Sequence, residues 1–207
     1  MASSNMAGGA AEGSGDIRDH AGAGPNRARA NAAPALPRPL VALHWLTLFC
    51  LLMAVGLILA YEEVDGRTAE KWLLEGHRHF GLLVLLLFVV RVLLRLRLGR
   101  LPVEAAPRIV RIAAGLTHLV LYALLLVLPL LGWAYSNSMA KPVHFFGATL
   151  PALVRPDPDL ADTLGGWHVD AAWVLLALVL LHVAAALWHH FVRRDGVLRR
   201  MLPGRRR

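Results

Sequence analysis

Only one cysteine occurs among the 207 residues, Cys50, and it stands inside an apolar run. One thiol excludes an intramolecular disulfide framework, a cysteine-held iron–sulfur cluster and a haem attached through C-x-x-C-H. Charge is also scarce, at 17% of the chain against 57% hydrophobic residues, and it falls in clusters between long apolar stretches. A soluble domain disperses its charge, so this pattern reads as a polytopic membrane protein. The basic excess, 22 Lys+Arg against 14 Asp+Glu, is then a topological signal and not a nucleic-acid surface. Carboxylates are missing from the apolar part of every candidate span. Cys50 itself reads as a small apolar residue facing lipid or core.

Residues 1–36 are rich in Ala, Gly, Ser and Asn without apolar period, and read as a disordered cytoplasmic tail. The tail has no basic start, apolar core and small-residue cleavage site of a secretory signal, and its His20 receives no role. Residues 37–203 carry four spans, at about 40–60, 77–98, 112–135 and 167–192, each near the ~20 residues that cross a bilayer as a helix. Arg91 interrupts the second span about a turn before its end, where it is expected to snorkel to the interface. Residues 204–207 form a basic C-terminal tail.

Arginines set the orientation. Arg27, Arg29 and Arg38 precede the first span, Arg95, Arg97, Arg100, Arg108 and Arg111 follow the second, and Arg193, Arg194, Arg199, Arg200 and the last three residues follow the fourth. The loop "YEEVDGRTAEKWLLEG" is mostly acidic, and the long loop after the third span holds only Lys141 and Arg155 against Asp157, Asp159 and Asp162. Both termini are therefore expected in the cytoplasm, around an all-α up-down bundle of four transmembrane helices. The long loop, dense in Pro and Gly, is expected as a short surface helix or cap, with His144 on its surface.

Ten histidines remain to be explained. His168 opens the fourth span and His182 lies fourteen residues on, about 21 Å deeper and on nearly the same helix face. His44 enters the first span from the cytoplasm, and His77 opens the second from outside. Two layers result: an inner one of His44 and His182, and an outer one of His77 and His168. One intramembrane histidine is often a helix–helix hydrogen-bonding residue. Four matched in depth point instead to axial ligand pairs for two planar iron porphyrins, each ligand presenting Nε2 while Nδ1–H donates elsewhere. Two-histidine zinc sites would be under-coordinated without acidic partners. Gly81, one turn after His77, leaves room for a ring edge. His79 lies nearly opposite His77 and is its rival, and His118 reads as a packing or hydrogen-bonding residue. His189 and His190 are expected to be interfacial anchors.

"LHWLT", "HRHFGLLVLLLFVVRVLLRL", "HLVLYALLLVLPLLGW", "WHVDAAWVLLALVLLHVAAALWHHF" and "RDGVLRRMLP" together resemble the prokaryotic cytochrome b561 family over about residues 37–203. In the second stretch a Gly four residues after His77 and an Arg fourteen after it match the pattern, which selects His77 over His79. Arg78 and His79 fall outside that pattern. The resemblance implies axial ligands His44, His77, His168 and His182 for two haem b groups. It also implies a bacterial inner-membrane oxidoreductase exchanging electrons between ubiquinone, as acceptor or donor, and a partner at one face. One type in the family is similar to a superoxide oxidase, which suggests that cations such as Lys71, Arg78 or Lys141 steer superoxide to the outer haem; another periplasmic electron-transfer partner is the variant of this reading. Trp72 and Trp167 are candidates near a quinone, or belt residues. The alternatives are a membrane anchor passing electrons from a separate dehydrogenase or hydrogenase, and a non-redox four-span channel or scaffold with structural histidines.

Overall fold

The computed structural model describes residues 36–99, 107–195 and 198–201. The expected tail over residues 1–36, apart from Leu36, and the basic residues 204–207 lie outside them, as do Arg27, Arg29 and Arg100. Among the described residues four helices are long and apolar enough to cross a membrane: α1 (Arg38–Glu63), α2 (Arg67–Leu98), α3 (Arg108–Ser138) and α4 (Pro158–Trp188). A two-stranded antiparallel hairpin, β1 (His144–Phe145) and β2 (Ala148–Thr149), lies between α3 and α4. A π-helical turn over His189–Arg193 and a 3-10 turn over Arg199–Met201 close the described chain.

Hydrocarbon cannot hydrogen-bond a backbone, so each span satisfies its own amides as a helix. The helices are apolar around most of their circumference, and side chains such as Leu52, Leu96, Leu119 and Leu181 are exposed on the bundle's outside. In water that would be a liability, but in lipid it is the expected surface. The buried set is small and includes Cys50 and Ala54 from α1, Leu82 and Val84 from α2, Leu121 from α3 and Leu175 from α4. Cys50 is thus a core residue.

The helices outrun the apolar spans. α2 starts at Arg67, ten residues before His77, and α4 starts at Pro158, nine before Trp167. Hydropathy reports where hydrocarbon lies, whereas Ala, Glu, Lys and Leu in "RTAEKWLLEG" sustain a helix beyond it. Local chemistry fixes the starts. Asp157 Oδ1 accepts from the Leu160 amide at 3.1 Å, with Pro158 in the first turn. The Gly66 amide donates to Glu70 Oε1 at 3.1 Å. The expected sixteen-residue loop between the first two spans shrinks to residues 64–66.

The long connection folds as the hairpin, not as a surface helix. Phe146 and Gly147 both take positive φ, 47° and 86°, as a two-residue primed turn requires. Asn137 organises the rest. Its Oδ1 accepts from the Leu153 amide at 2.9 Å and its Nδ2 donates to the Lys141 carbonyl at 3.4 Å. Ser138 O accepts from the Asp157 amide at 2.9 Å, which joins the end of α3 to the start of α4. Val143, 2% exposed, is the core of this cap. At the opposite, terminal end of the bundle Trp45 Nε1 donates to the Met201 carbonyl at 2.6 Å, and His189 Nδ1 meets Asp195 Oδ2 at 2.5 Å.

Asn137→Leu is expected to leave the Leu153 amide without its acceptor, at a cost of about 1–3 kcal/mol. Hydrogen exchange should then rise across residues 139–157 while α1 and α2 stay protected; equal protection of the cap in the variant would contradict this role for Asn137.

Candidate functional site

Histidines meet at two levels of the bundle. Near the hairpin end, the rings of His77 on α2 and His168 on α4 lie 6.1 Å apart between centroids, at 81° to one another. Near the terminal end, His44 on α1 and His182 on α4 lie 6.4 Å apart at 66°. Two imidazoles bound on opposite sides of one metal ion, each nitrogen about 2 Å from it, have ring centres about 6 Å apart. Both pairs have that separation. Among the described residues no three of His, Cys, Asp and Glu converge as a closed metal site would need. Each pair therefore offers two ligands, and a planar macrocycle supplying its own equatorial nitrogens matches that donor set.

Helix packing leaves room between the pairs. α1 packs along α2 and α3 along α4, with a narrower contact between α2 and α3. α4 has no comparable backbone packing against α1 or α2 among the described residues. The two interfaces bridged by histidines are thus those where the helices stand apart.

At the hairpin end the second ring nitrogens are fixed. His77 Nδ1 lies 2.8 Å from the Ala54 carbonyl and His168 Nδ1 lies 3.1 Å from the Leu128 carbonyl. A carbonyl can only accept, so each Nδ1 carries a proton and each neutral ring keeps its Nε2 lone pair free. Gly132 seats the His168 ring: a Cβ there would stand 2.9 Å from its Cε1 and 3.2 Å from its Nδ1. Leu128, Pro129 and Gly132 belong to one turn of α3, and a proline inside a helix removes a donor from the ladder there.

A cavity of about 430 Å³ includes both rings, with Gly81, Gly132 and Trp133 in its wall. A Cβ on Gly81 would meet nothing within 4 Å, so the glycine leaves an open edge beside His77 as the sequence suggested. A second cavity of about 440 Å³ opens beside it, lined by Lys71, Trp72, Glu75, Arg78, His79, Lys141 and His144. Arg78 and Lys141 line both cavities. Glu75 is the second cavity's one carboxylate and is bound to Arg78 at 2.6 Å. Lys71 and Lys141 form no ion pair among the described residues. All three cations suggested for steering are thus in one place. Trp72 stands in that cavity's wall, and both Trp72 and Trp167 are exposed.

The remaining histidines separate clearly. His79 turns away from His77: its Nδ1 donates to the Glu75 carbonyl at 2.7 Å, and its ring lies against Phe145 and Phe146 at 6.2 and 5.8 Å. It pins the hairpin to α2, a role that no local pattern signals. His144 is exposed, with Nδ1 3.1 Å from Thr149 Oγ1. His118 packs as its position suggested, with its ring centre 5.6 Å from that of His182. The terminal layer therefore holds three imidazoles. Arg91 departs from expectation. It does not snorkel: its Nε donates to Tyr122 Oη at 3.1 Å and its Nη1 to His44 Nδ1 at 3.2 Å. A hydroxyl, an imidazole and the Tyr122 face 5.7 Å away hold it inside the bundle.

Gly132→Val is expected to push His168 off the Leu128 carbonyl and lower stability by ~1–3 kcal/mol, the usual cost of overpacking. Gly56→Ala, whose Cβ meets nothing within 4 Å, is the neutral control. Thermal unfolding in detergent separates the two; equal midpoints would contradict the seating role.

Residues 35–204 match the family model described as prokaryotic cytochrome b561. Over 171 residues the chain is 33% identical to a Yersinia pestis protein named probable superoxide oxidase CybB, a match covering 80% of this chain and 94% of the relative. It is 31% identical over 170 residues to cytochrome b561 homolog 1 of Escherichia coli K12, covering 79% and 94%. It is 30% identical over 184 residues to cytochrome b562 of Cereibacter sphaeroides, covering 83% and 98%. The matched region holds all four helices and both histidine layers. The chain belongs to the prokaryotic cytochrome b561 family, whose members are haem-binding electron-transport proteins of the membrane.

Proposed function

We propose that this protein is a two-haem b-type cytochrome of the bacterial inner membrane that oxidises superoxide at the periplasmic face and delivers the electrons to ubiquinone. The observation that carries the reading is the hairpin-end pair. His77 and His168 stand with ring centres 6.1 Å apart, and each Nδ1–H is spent on a carbonyl. Their free Nε2 atoms would hold haem b, the group that the family implies. His44 and His182 would hold a second. The arginine distribution supports an orientation with both termini in the cytoplasm and the hairpin end in the periplasm.

Haem in such a site supplies one-electron transfer without an open coordination position for dioxygen. The chain does the rest. His168 and His182 share one face of α4 about 21 Å apart and so set the separation of the two carriers across the bilayer. Lys71, Arg78 and Lys141 make the cavity beside the outer layer cationic and draw in a small anion. Arg78 and Lys141 continue into the wall of the outer layer's own cavity, so an anion held by them is next to the site of electron uptake. Two superoxide anions lose one electron each to give two dioxygen molecules, and one ubiquinone takes the two electrons and two protons to give ubiquinol. The Yersinia relative's name, probable superoxide oxidase, supports the choice of substrate.

His168→Ala and His77→Ala are each expected to remove one and the same haem, and His182→Ala and His44→Ala the other. Pyridine haemochrome content and redox titration of purified protein test this, and retention of both haems by His168→Ala contradicts the layers. Stopped-flow mixing with superoxide should reduce the haems, and a quinone analogue should reoxidise them. Replacing Lys71, Arg78 and Lys141 together by Gln is expected to slow haem reduction about tenfold or more and flatten its salt dependence. An unchanged rate and salt slope would remove the steering role.

A further inference from the structure

The terminal-end layer contains a conflict that the hairpin-end layer lacks. At the hairpin end both Nδ1 atoms donate to carbonyls. At the terminal end His44 Nδ1 faces Arg91 Nη1 at 3.2 Å. A guanidinium has five donors, no acceptor, and stays protonated. In this contact Nδ1 therefore accepts, and the neutral ring carries its proton on Nε2. That is the atom an iron ligand must present bare. His44 can accept from Arg91 or bind iron through Nε2 with Nδ1–H as donor, but it cannot do both.

Arg91 is nonetheless held where it is by other contacts. Tyr122 Oη accepts from its Nε at 3.1 Å, and its guanidinium carbon lies 5.7 Å from the centre of the Tyr122 ring. Phe88 packs edge-on against Tyr122 at 5.9 Å and holds that ring in turn. Among the described residues Arg91 has no carboxylate partner. A part-buried guanidinium in a membrane span, fixed on one edge and without an anion, is costly unless it serves a ligand. Its planar fork suits a carboxylate, which it can grip with two parallel bonds.

We propose that Arg91 is the carboxylate-binding residue of the inner haem. When His44 ligates iron, Nη1 leaves Nδ1 and takes a propionate of the same haem, while Tyr122 keeps the guanidinium in place. The inference rests on the two-haem reading above. It also assigns Arg91 an electrostatic role. A cation beside the haem favours the reduced form, and its removal leaves a propionate charge uncompensated, so the potential falls.

The test uses full-length His168→Ala protein, which on this reading keeps the inner haem alone. Adding Arg91→Gln is expected to lower the haem's midpoint potential and shift its propionate bending band in the resonance Raman spectrum. Arg91→Lys should recover most of the potential but not the band, because it restores the charge without the planar fork. Tyr122→Phe, which keeps the charge and loosens the guanidinium, should move the band with a smaller fall in potential. It also serves if Arg91→Gln does not accumulate. Potential and band unchanged from the parent in these variants would overturn the proposal. A parent with no haem would overturn the two-haem reading instead, and a parent with two would overturn its assignment of His168 as a ligand.

Discussion

An imidazole inside hydrocarbon needs a use for both of its nitrogens, and the hairpin-end layer is built around that requirement. Donation from Nδ1 to a helix carbonyl fixes each ring's tautomer and direction and leaves Nε2 for a ligand. The donations from His77 to Ala54 and from His168 to Leu128 each cross from one helix to another. They tie α2 to α1 and α4 to α3, the same pairs that pack most closely. The interfaces left open, between α4 and the first two helices, are the ones that the histidine rings bridge. Packing and ligand geometry are thus one arrangement: each hairpin of helices orients one imidazole toward the gap between the hairpins.

α4 is the common wall. A spacing of fourteen residues returns a helix to nearly the same face after almost four turns, so one helix contributes to both layers without a bend. α3 contributes no proposed ligand, yet it shapes both ends. Gly132 makes room for His168, Leu128 accepts its proton, and Tyr122 holds Arg91 beside His44. The cap over the hairpin end depends on α3 as well, through Asn137 and Ser138.

Much of this was legible from residue order. Apolar length located the four helices, and depth paired His44 with His182 and His77 with His168. The opposite orientation of His79 followed from helical periodicity. Less was legible where backbone chemistry or tertiary contact decides. The starts of α2 and α4 lie beyond the apolar windows because caps, not hydropathy, set them. The hairpin turn depends on Phe146 adopting a positive φ, which its bulk disfavours and its packing against His79 supports. Gly132 stood inside the quoted "PLLGW", but only the position of His168 reveals its purpose. Arg91 reads by depth as a residue reaching for the interface, and its inward turn required Tyr122 and His44, distant in sequence, to be in place. The 5.6 Å approach of His118 to His182 was hidden for the same reason.

The central claim is that each layer holds one iron between two imidazoles. Near-infrared magnetic circular dichroism of the oxidised protein, calibrated by haem content, tests it most directly. Two low-spin, bis-histidine ferric haems per chain and no high-spin fraction are expected. One haem per chain, or a five-coordinate high-spin signal, would contradict it.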